Sequence, residues 1–384
     1  MPQDLYINSA SGLEQLCTVL RRHHWLTLDT EFIREKTYRP RLCLIQVANP
    51  EVVACIDPLA LDDLAPLLEL LYDPTITKVF HAARQDLEIF HEMRGALPQP
   101  LFDTQIAATL LGQGDQVGYA ALVLEELGIT LDKGHARTDW CQRPLAPEQI
   151  SYASDDVRHL RELYLRQHQR LEALGRLEWL AEDFTALTDP HLYTNPPELA
   201  WQRIKGSHRL KGIQLAVLRQ LAAWREERAQ QLDKPRRWIV GDEQLLDMAR
   251  LMPVEQSQLD RMRGLEEGTK RRYGEEWFKL IAAAKQTPRE QWPILKEGPR
   301  LSNAQEPLVD ALMALLRACC DAAQVTPAAV ASRRDLERLV LGDGEVALLH
   351  GWRAAIAGDQ LSAFLRGETM LTVARGQLVT APRT

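Results

Sequence analysis

Two carboxylates, one residue apart, interrupt an apolar run near the N-terminus. Residues 24–32 read HWLTLDTEF, a pattern typical of a buried strand that here contains Asp29 and Glu31. Side chains two residues apart in a strand lie on the same face, about 6.5–7 Å from each other. Ionised carboxylates that close repel in a low-dielectric site unless one is protonated or a cation lies between them. A solvated strand edge is the alternative, because acids are usually exposed.

Further acids occur later in the chain, where they could converge on this pair. Asp86 lies early in the helix predicted after the strand KVFHA, a common place for functional groups in α/β folds. An acid near a helix N-terminus is also favourable without any chemical role. Tyr152 and Asp156 are four residues apart in SYASDDV, so they share one helix face. Asp155 points away from that face and is predicted to be solvated.

Such a set of side chains predicts an oxygen-only metal site. Carboxylates without Cys or His suit hard Mg²⁺ or Mn²⁺ and not zinc. Two such ions about 4 Å apart can activate water and stabilise the leaving oxygen when a phosphodiester is cleaved. The four acids and the tyrosine therefore favour a phosphodiester hydrolase.

Three of these segments resemble the exonuclease motifs of the DEDD superfamily, namely LDTEF, KVFHAARQDLEIF and YASDDV. The tyrosine four residues before the last aspartate marks its DEDDy branch. The chain further resembles the ribonuclease D family of bacterial 3′→5′ exoribonucleases through TYRPRLCLIQVA, LFDTQIAA and LDKGHARTDWCQRPL. One departure is Asp155, where that family often has alanine.

The resemblance implies a reaction, a cofactor and a partner. Asp29, Glu31, Asp86 and Asp156 would hold two Mg²⁺ or Mn²⁺ ions, with Asp29 as the bridge, and Tyr152 would orient or help deprotonate the attacking water. The family releases 5′-mononucleotides from the 3′ end of RNA, especially in the 3′-end maturation of tRNA precursors. The implied partner is RNA with an accessible 3′ end, in tRNA precursors and other structured RNA. The implied state is a monomer.

The elements that must position these groups form an α/β domain. Strand-like runs WLTLDTEF, LCLIQVA and VVACIDP predict an antiparallel meander, and ITKVFHA predicts a fourth strand before a helix. Asp103 is predicted to be the N-cap of the helix in LFDTQIAATLL. A long helix is expected to begin at Pro147, since proline suits a first helical turn. We therefore expect a mixed-sheet exonuclease domain, ribonuclease H-like by resemblance, followed by two all-α domains.

Two later segments resemble each other, each with a long amphipathic helix, a short proline-containing loop and a second helix with Leu pairs. Both modules look like HRDC domains, and the second is expected to pack against its neighbours. The predicted division is an exonuclease domain at 1–172, a helical connector at 173–202, a first HRDC-like domain at 203–292 and a second at 293–384 with a C-terminal tail.

Contacts with the substrate are predicted from basic and aromatic side chains. Phe32 could wedge the terminal nucleotide or belong to the core, and Trp140 could stack a base or pack its loop onto the domain. Cations that could neutralise phosphates occur in the loop before the last motif and in the first helical module, where each could equally be solvated: Lys133, Arg137 and Arg143 in the loop, and Lys234, Arg236, Arg237, Lys270, Arg271 and Arg272 in the module.

The charge distribution agrees with this division. Residues 203–290 contain 19 Lys and Arg against 13 Asp and Glu, whereas the remainder has 27 against 40. A basic segment attached to an acidic one is compatible with nucleic-acid binding by the first.

Cysteine content and hydrophobic patterning indicate the class of protein and its cellular compartment. The six cysteines include no CxxC pair, which argues against a disulfide framework or zinc site, and Cys17, Cys43 and Cys55 are predicted to be small core residues. The N-terminus lacks a basic region followed by an apolar run, which argues against a secretory signal. No apolar stretch approaches the length of a membrane span. We therefore expect a cytoplasmic protein that does not enter a membrane.

A second hypothesis comes from another class of protein. The same scaffold could be a catalytically silent protein that binds structured RNA, although the presence of all four acids and the tyrosine counts against it. Within the enzyme class, DNA is an alternative substrate, because no motif here reads a 2′-hydroxyl.

Overall fold

The structure is a computed structural model that describes residues 4–132, 134, 138–295 and 300–383. Its contacts divide the chain into two compact units. The first unit comprises Met1–Glu31, Leu42–Pro190 and Pro299–Thr384, and the second comprises Phe32–Arg41 and His191–Gly298. These units do not coincide with the predicted domain boundaries, because the last segment belongs with the exonuclease region. No helix among the described residues is long and apolar enough to cross a membrane.

A six-stranded mixed sheet forms the centre of the first unit. Its strands, in chain order, are β1 (Leu5–Ile7), β2 (Trp25–Ile33), β3 (Arg41–Ala48), β4 (Val53–Ile56), β5 (Thr77–Phe80) and β6 (Leu101–Asp103). Their spatial order is β1-β4-β3-β2-β5-β6. The pairs β1/β4, β2/β5 and β5/β6 are parallel, and β3/β4 is antiparallel. The predicted strands are confirmed, whereas the three-residue strands β1 and β6 carry no pattern that the sequence interpretation detected.

In the described part of the chain up to Pro190, seven α-helices accompany this sheet. They are α1 (Ala10–Leu20), α2 (Ala65–Leu71), α3 (Arg84–Arg94), α4 (Thr104–Leu110), α5 (Tyr119–Leu127), α6 (Pro147–Ala173) and α7 (Ala181–Leu187). The long helix α6 begins at Pro147 as predicted. Asp103 caps α4 by accepting from the N–H groups of Gln105 and Ile106, so the predicted cap is confirmed.

The second unit is helical, with α8 (Ile213–Leu232), α9 (Arg236–Ile239), α10 (Asp242–Leu251), α11 (Gln256–Asp260) and α12 (Glu267–Gln286). Its core surrounds the fully buried Trp277. The segment Phe32–Arg41 belongs here, because the backbone N–H groups of Tyr38 and Arg39 donate to the carboxylate of Asp233 at 3.1 and 3.0 Å. The chain therefore joins this unit directly after Glu31.

Residues 300–383 return to the first unit with α13 (Glu306–Ala323), α14 (Pro327–Val330), α15 (Arg333–Val340), α16 (Gly351–Arg353) and α17 (Asp359–Leu365). As in α8 to α10, a long helix is followed by one short helical turn and a second helix. This segment packs on the exonuclease region, as expected for the second module. The backbone N–H of Thr326 donates to the carbonyl of Thr109 at 2.8 Å, and Trp179 stacks on Trp352 with ring centroids 4.7 Å apart.

A β-hairpin corrects the expectation of an all-α C-terminal region. Strands β7 (Thr369–Ala374) and β8 (Gln377–Pro382) pair antiparallel. Arg375 and Gly376 at the turn have φ angles of 51° and 79°, as a two-residue hairpin turn requires. The alternating pattern in MLTVARGQLVT, with glycine at its centre, is the signal that the sequence interpretation overlooked.

A disulfide joins Cys43 in β3 to Cys141, with Cα atoms 5.0 Å apart. The prediction that Cys43 is only a small core residue is therefore wrong, although its side chain is fully buried. The two residues are 98 positions apart, so only the fold could bring them together. Cys17 is buried and free as predicted, and so is Cys55.

Thiol counting tests this pair. Protein denatured without reductant should titrate four thiols, from the free cysteines Cys17, Cys55, Cys319 and Cys320. After reduction it should titrate all six. Six thiols in both samples would show that Cys43 and Cys141 are neighbouring thiols and not a bond.

Candidate active site

Asp29 and Glu31 project from the same face of β2. The neighbouring Leu28 and Thr30 are buried, whereas both acids are only partly buried, which is the alternation expected of a strand. Ligand oxygens of Asp29, Glu31 and Asp156 all lie within 4.8 Å of one another. Two segments more than a hundred residues apart thus supply one cluster of carboxylates.

Two hydrogen bonds help to position α6, one from the sheet and one from α5. The hydroxyl of Thr27, two residues before Asp29, donates to the carbonyl of Val157 at 2.9 Å. The hydroxyl of Tyr119 at the start of α5 donates to the carbonyl of Asp155 at 2.8 Å. These bonds hold the backbone on both sides of Asp156, so the carboxylate faces β2.

Asp86 enters from the first turn of α3 and is buried. Its carboxylate accepts from the hydroxyl of Thr30 at 2.6 Å. Asp103 orients the turn before α3 by accepting from the N–H groups of Ala82 and Ala83 at 3.1 and 2.8 Å. Asp86 is not among the acids whose ligand oxygens lie within 4.8 Å of one another. Of the four predicted metal ligands, the closest group is therefore Asp29, Glu31 and Asp156.

Burial and repulsion strongly disfavour the ionised carboxylates. Burial, followed by the charges of Asp86 and Asp156, raises the pKa of Asp29 well above its usual value. Burial and the same two charges raise the pKa of Glu31 to about 8. Burial also raises the pKa of Asp86 and of Asp156 to about 7 each. The cluster therefore favours either protons or cations, as expected from the sequence.

Tyr152 lies beside the cluster on α6. It lines a cavity of about 160 Å³ together with Tyr119, Leu131 and Asp156. Burial and then the neighbouring carboxylate charges raise the pKa of Tyr152 to about 12. At neutral pH its side chain is therefore a protonated phenol that can donate a hydrogen bond next to the acids.

Comparisons with known proteins agree with this geometry. A family model described as 3′-5′ exonuclease matches residues 5–172, and an HRDC domain model matches residues 214–281. Ribonuclease D of Gluconacetobacter diazotrophicus is 44% identical over 97% of this chain and 95% of that protein. Ribonuclease D of Granulibacter bethesdensis is 42% identical over 97% of this chain and 95% of that protein. The crystal structure of Escherichia coli RNase D, described as an exoribonuclease involved in structured RNA processing, covers 95% of this chain and 99% of that chain, with 33% identity and a TM-score of 0.82.

This chain belongs to the ribonuclease D family. The resemblance found in the sequence is confirmed, and so are the exonuclease domain and the first HRDC domain of this exoribonuclease. The likeness of the second module to HRDC domains stays a prediction.

Asp155 is less solvated than the sequence interpretation predicted. It is half-buried and forms an ion pair with Arg158. Burial raises its pKa, and the charge of Arg158 opposes that shift. It is therefore both partly exposed and paired, at the edge of the site.

The loop before α6 holds three predicted cations. Lys133 and Arg137 lie outside the described residues. The guanidinium of Arg143 binds both carboxylate oxygens of Asp57 at 2.6 and 2.7 Å, so its position favours an anchoring role. Trp140 is only 3% exposed, which confirms that it packs the loop, while Phe32 is half-buried at the end of β2 and its wedge role stays a prediction.

The second unit contains the HRDC match and is called the HRDC unit below. Its six predicted cations fall into two groups. The exposed ones, whose contact with RNA stays a prediction, are Lys234, Arg237, Arg271 and Arg272. Lys270 is 4% exposed and pairs with Glu267 at 2.8 Å. Arg236 binds both oxygens of the buried Glu226 at 2.5 and 2.6 Å. Internal partners thus favour a structural role for Lys270 and Arg236.

The sequence interpretation missed three residues that position the site. In β2, Thr27 precedes the two acids and Thr30 lies between them. The sequence signal that could have identified both is a hydroxyl inside an apolar strand, because a buried hydroxyl needs a hydrogen-bond partner. Tyr119 carries no motif that marks it. Only the packing of α5 on α6 shows that its hydroxyl orients the backbone next to Asp156.

Metal binding should reverse a pH-dependent loss of stability. The folded chain has carboxyl pKa values near 7 to 8 at Glu31, Asp86 and Asp156, whereas the unfolded chain releases those protons near pH 4. In EDTA, the free energy of unfolding should therefore fall as pH rises from about 5 to 8. Melting temperatures measured with EDTA or Mg²⁺ should differ at pH 8 and nearly coincide at pH 5.

Asp29→Asn provides the control for that experiment. It removes one buried charge, so its stability in EDTA at pH 8 should exceed that of the natural chain, and Mg²⁺ should add less. Equal Mg²⁺ stabilisation of both proteins would contradict a metal site at these carboxylates.

Arg236 and Arg237 provide a matched pair for the HRDC unit. Arg236→Ala leaves the carboxylate of Glu226 buried without its cation and should lower the free energy of unfolding by about 1–3 kcal/mol. Arg237→Ala removes an exposed charge and should change it by less than about 0.5 kcal/mol. Urea unfolding followed by tryptophan fluorescence measures both, and equal stabilities would contradict the structural role of Arg236.

Proposed function

We propose that this chain is a metal-dependent 3′→5′ exoribonuclease that hydrolyses phosphodiester bonds by a two-metal-ion mechanism and releases 5′-mononucleotides. The observation that supports it most is the convergence of Asp29, Glu31 and Asp156, whose ligand oxygens lie within 4.8 Å of one another. The buried Asp86 and the phenol of Tyr152 complete the set of groups that the family motifs contain.

The donor set fits divalent cations with oxygen ligands. All four acids offer carboxylates, and their raised pKa values give bound cations a large electrostatic advantage over empty, repelling carboxylates. Asp29, Glu31, Asp86 and Asp156 would hold two Mg²⁺ or Mn²⁺ ions. When bound, such ions lower the pKa of water and stabilise charge on the leaving oxygen.

The residues of the chain then have separate tasks. The four carboxylates would hold the cations, and the bound cations would supply the positive charge that orients the scissile phosphodiester. Tyr152 donates a hydrogen bond from its protonated phenol and so positions the attacking water. The family resemblance also allows Tyr152 to help deprotonate that water.

The substrate is proposed to be RNA with an accessible 3′ end, especially tRNA precursors whose 3′ ends mature by stepwise trimming. E. coli RNase D is described as involved in structured RNA processing, and the HRDC unit of this chain presents exposed cations that could hold a phosphate backbone. We propose that the protein acts as a monomer in the cytoplasm. The proposed domains are 1–172, the connector 173–202, and HRDC-like domains at 203–292 and 293–384.

Labelled RNA tests the reaction. With 5′-labelled single-stranded RNA and Mg²⁺, the natural chain should give a ladder of products shortened one nucleotide at a time from the 3′ end. Asp29→Asn should lower the rate by more than about 100-fold, since loss of even an outer-shell partner of a metal costs 10–100-fold.

Asp155→Asn is the matched control, because it makes the same chemical change one residue from Asp156 at a carboxylate already paired with Arg158. Its rate should stay within a few-fold of the natural chain. RNA that stays intact with every protein but is retained in binding assays would support the catalytically silent RNA-binding alternative. The same assay on DNA tests which sugar the site accepts.

A further inference from the structure

The loop that precedes α6 places an aromatic ring directly against Tyr152. The rings of Trp140 and Tyr152 stack with centroids 6.1 Å apart and planes inclined by 29°. Trp140 is 3% exposed, so it is a fixed part of the interior and does not face the solvent. One face of the Tyr152 ring is thereby occupied by a residue of the loop.

Arg143 fixes the backbone of this loop. Besides binding both oxygens of Asp57, its guanidinium donates to the carbonyl of Trp140 at 2.7 Å and to the carbonyl of Cys43 at 2.6 Å. A fifth contact runs to the carbonyl of Gln142 at 2.9 Å. One side chain therefore ties the backbone of Trp140 to strand β3 and to the residue that follows β4.

Asp57 is itself held in place, so this anchor is rigid. It is 2% exposed, accepts from the hydroxyl of Tyr6 at 2.5 Å and accepts from the N–H of Leu59 at 2.9 Å. The disulfide between Cys43 and Cys141 ties the same loop to β3 a second time. Arg143 provides the tether that does not depend on the oxidation of these cysteines.

We propose that Trp140 and Arg143 are positioning residues of the hydrolytic reaction: Arg143 fixes the loop, and Trp140 holds the ring of Tyr152 where its hydroxyl can orient the attacking water. This inference rests on the proposed function. Tyr152 is attached to α6 by two rotatable side-chain bonds, and rotation about them moves its hydroxyl by several times the tolerance of a reactive geometry. A misplacement of about 1 Å can cost as much as 100-fold in rate, so a stacked wall against the ring has a direct catalytic consequence.

A role in positioning differs from a role in binding phosphate. If Arg143 contacted RNA, its loss would raise KM and reduce the dependence of KM on salt. If it acts through Trp140, its loss lowers kcat and leaves KM unchanged, because the groups that hold the substrate are untouched. The same comparison of kcat and KM distinguishes a positioning role of Trp140 from stacking on an RNA base.

Steady-state trimming of a short RNA in Mg²⁺ tests the proposal in the full-length protein. Trp140→Leu should lower kcat by about 10-fold with KM within about 2-fold, and Trp140→Phe, which keeps an aromatic ring, should recover most of that loss. Arg143→Met should resemble Trp140→Leu. Trp179→Phe alters a half-buried tryptophan that stacks on Trp352 and should retain the kcat of the natural chain.

A double-mutant cycle with Tyr152→Phe gives the decisive readout. If Trp140 acts through the Tyr152 hydroxyl, Trp140→Leu lowers kcat in the natural chain but has no further effect in Tyr152→Phe. Equal losses in both backgrounds, or a rise in KM alone, would overturn the inference while leaving the proposed function intact. An inactive natural chain would contradict both. Melting temperatures of all variants are recorded, and if Trp140→Leu fails to fold, the cycle is run with Arg143→Met, for which the same loss of kcat and the same criterion apply.

Discussion

Repulsion among carboxylates in a partly buried site is the constraint on which the rest of this structure depends. Asp29, Glu31 and Asp156 place their oxygens within 4.8 Å of one another, and the pKa of each is raised by burial. Such a cluster is unfavourable by itself at neutral pH, because each charge is desolvated and faces others of the same sign. The remaining contacts of the fold must therefore hold it together.

The contacts that hold the cluster together are hydrogen bonds to the backbone on both sides of Asp156 and in the turn before Asp86. Thr27 and Tyr119 fix α6 on both sides of Asp156, and Asp103 fixes the turn that leads to Asp86. None of these bonds uses the oxygens of Asp29, Glu31 or Asp156. The scaffold thus fixes the position of the acids while leaving those oxygens available to cations, which is the arrangement that a preorganised site requires.

The two helical modules belong to different compact units. The C-terminal module belongs to the same compact unit as the exonuclease sheet and packs on it through α4 and the region before α7. The HRDC unit has its own core and includes Phe32–Arg41, a segment that begins with the last two residues of β2. Arg236 and Lys270 pair with acids of that unit, whereas Lys234, Arg237, Arg271 and Arg272 are exposed.

The sequence by itself determined the acids, Tyr152, the main strands and the start of α6. These follow from local patterns: i and i+2 spacing places Asp29 and Glu31 on one strand face, and i and i+4 spacing pairs Tyr152 with Asp156 on one helix face. Tertiary structure alone decided which cations are structural and which residues lie against Tyr152. Arg143 and Asp57 are 86 positions apart, Arg236 folds onto a buried glutamate, and Cys43 meets Cys141 across 98 positions. A lysine or arginine looks the same in the sequence whether its side chain faces solvent or a buried carboxylate. Only the folded chain brings the carboxylate close, and so only the structure shows which cations are structural.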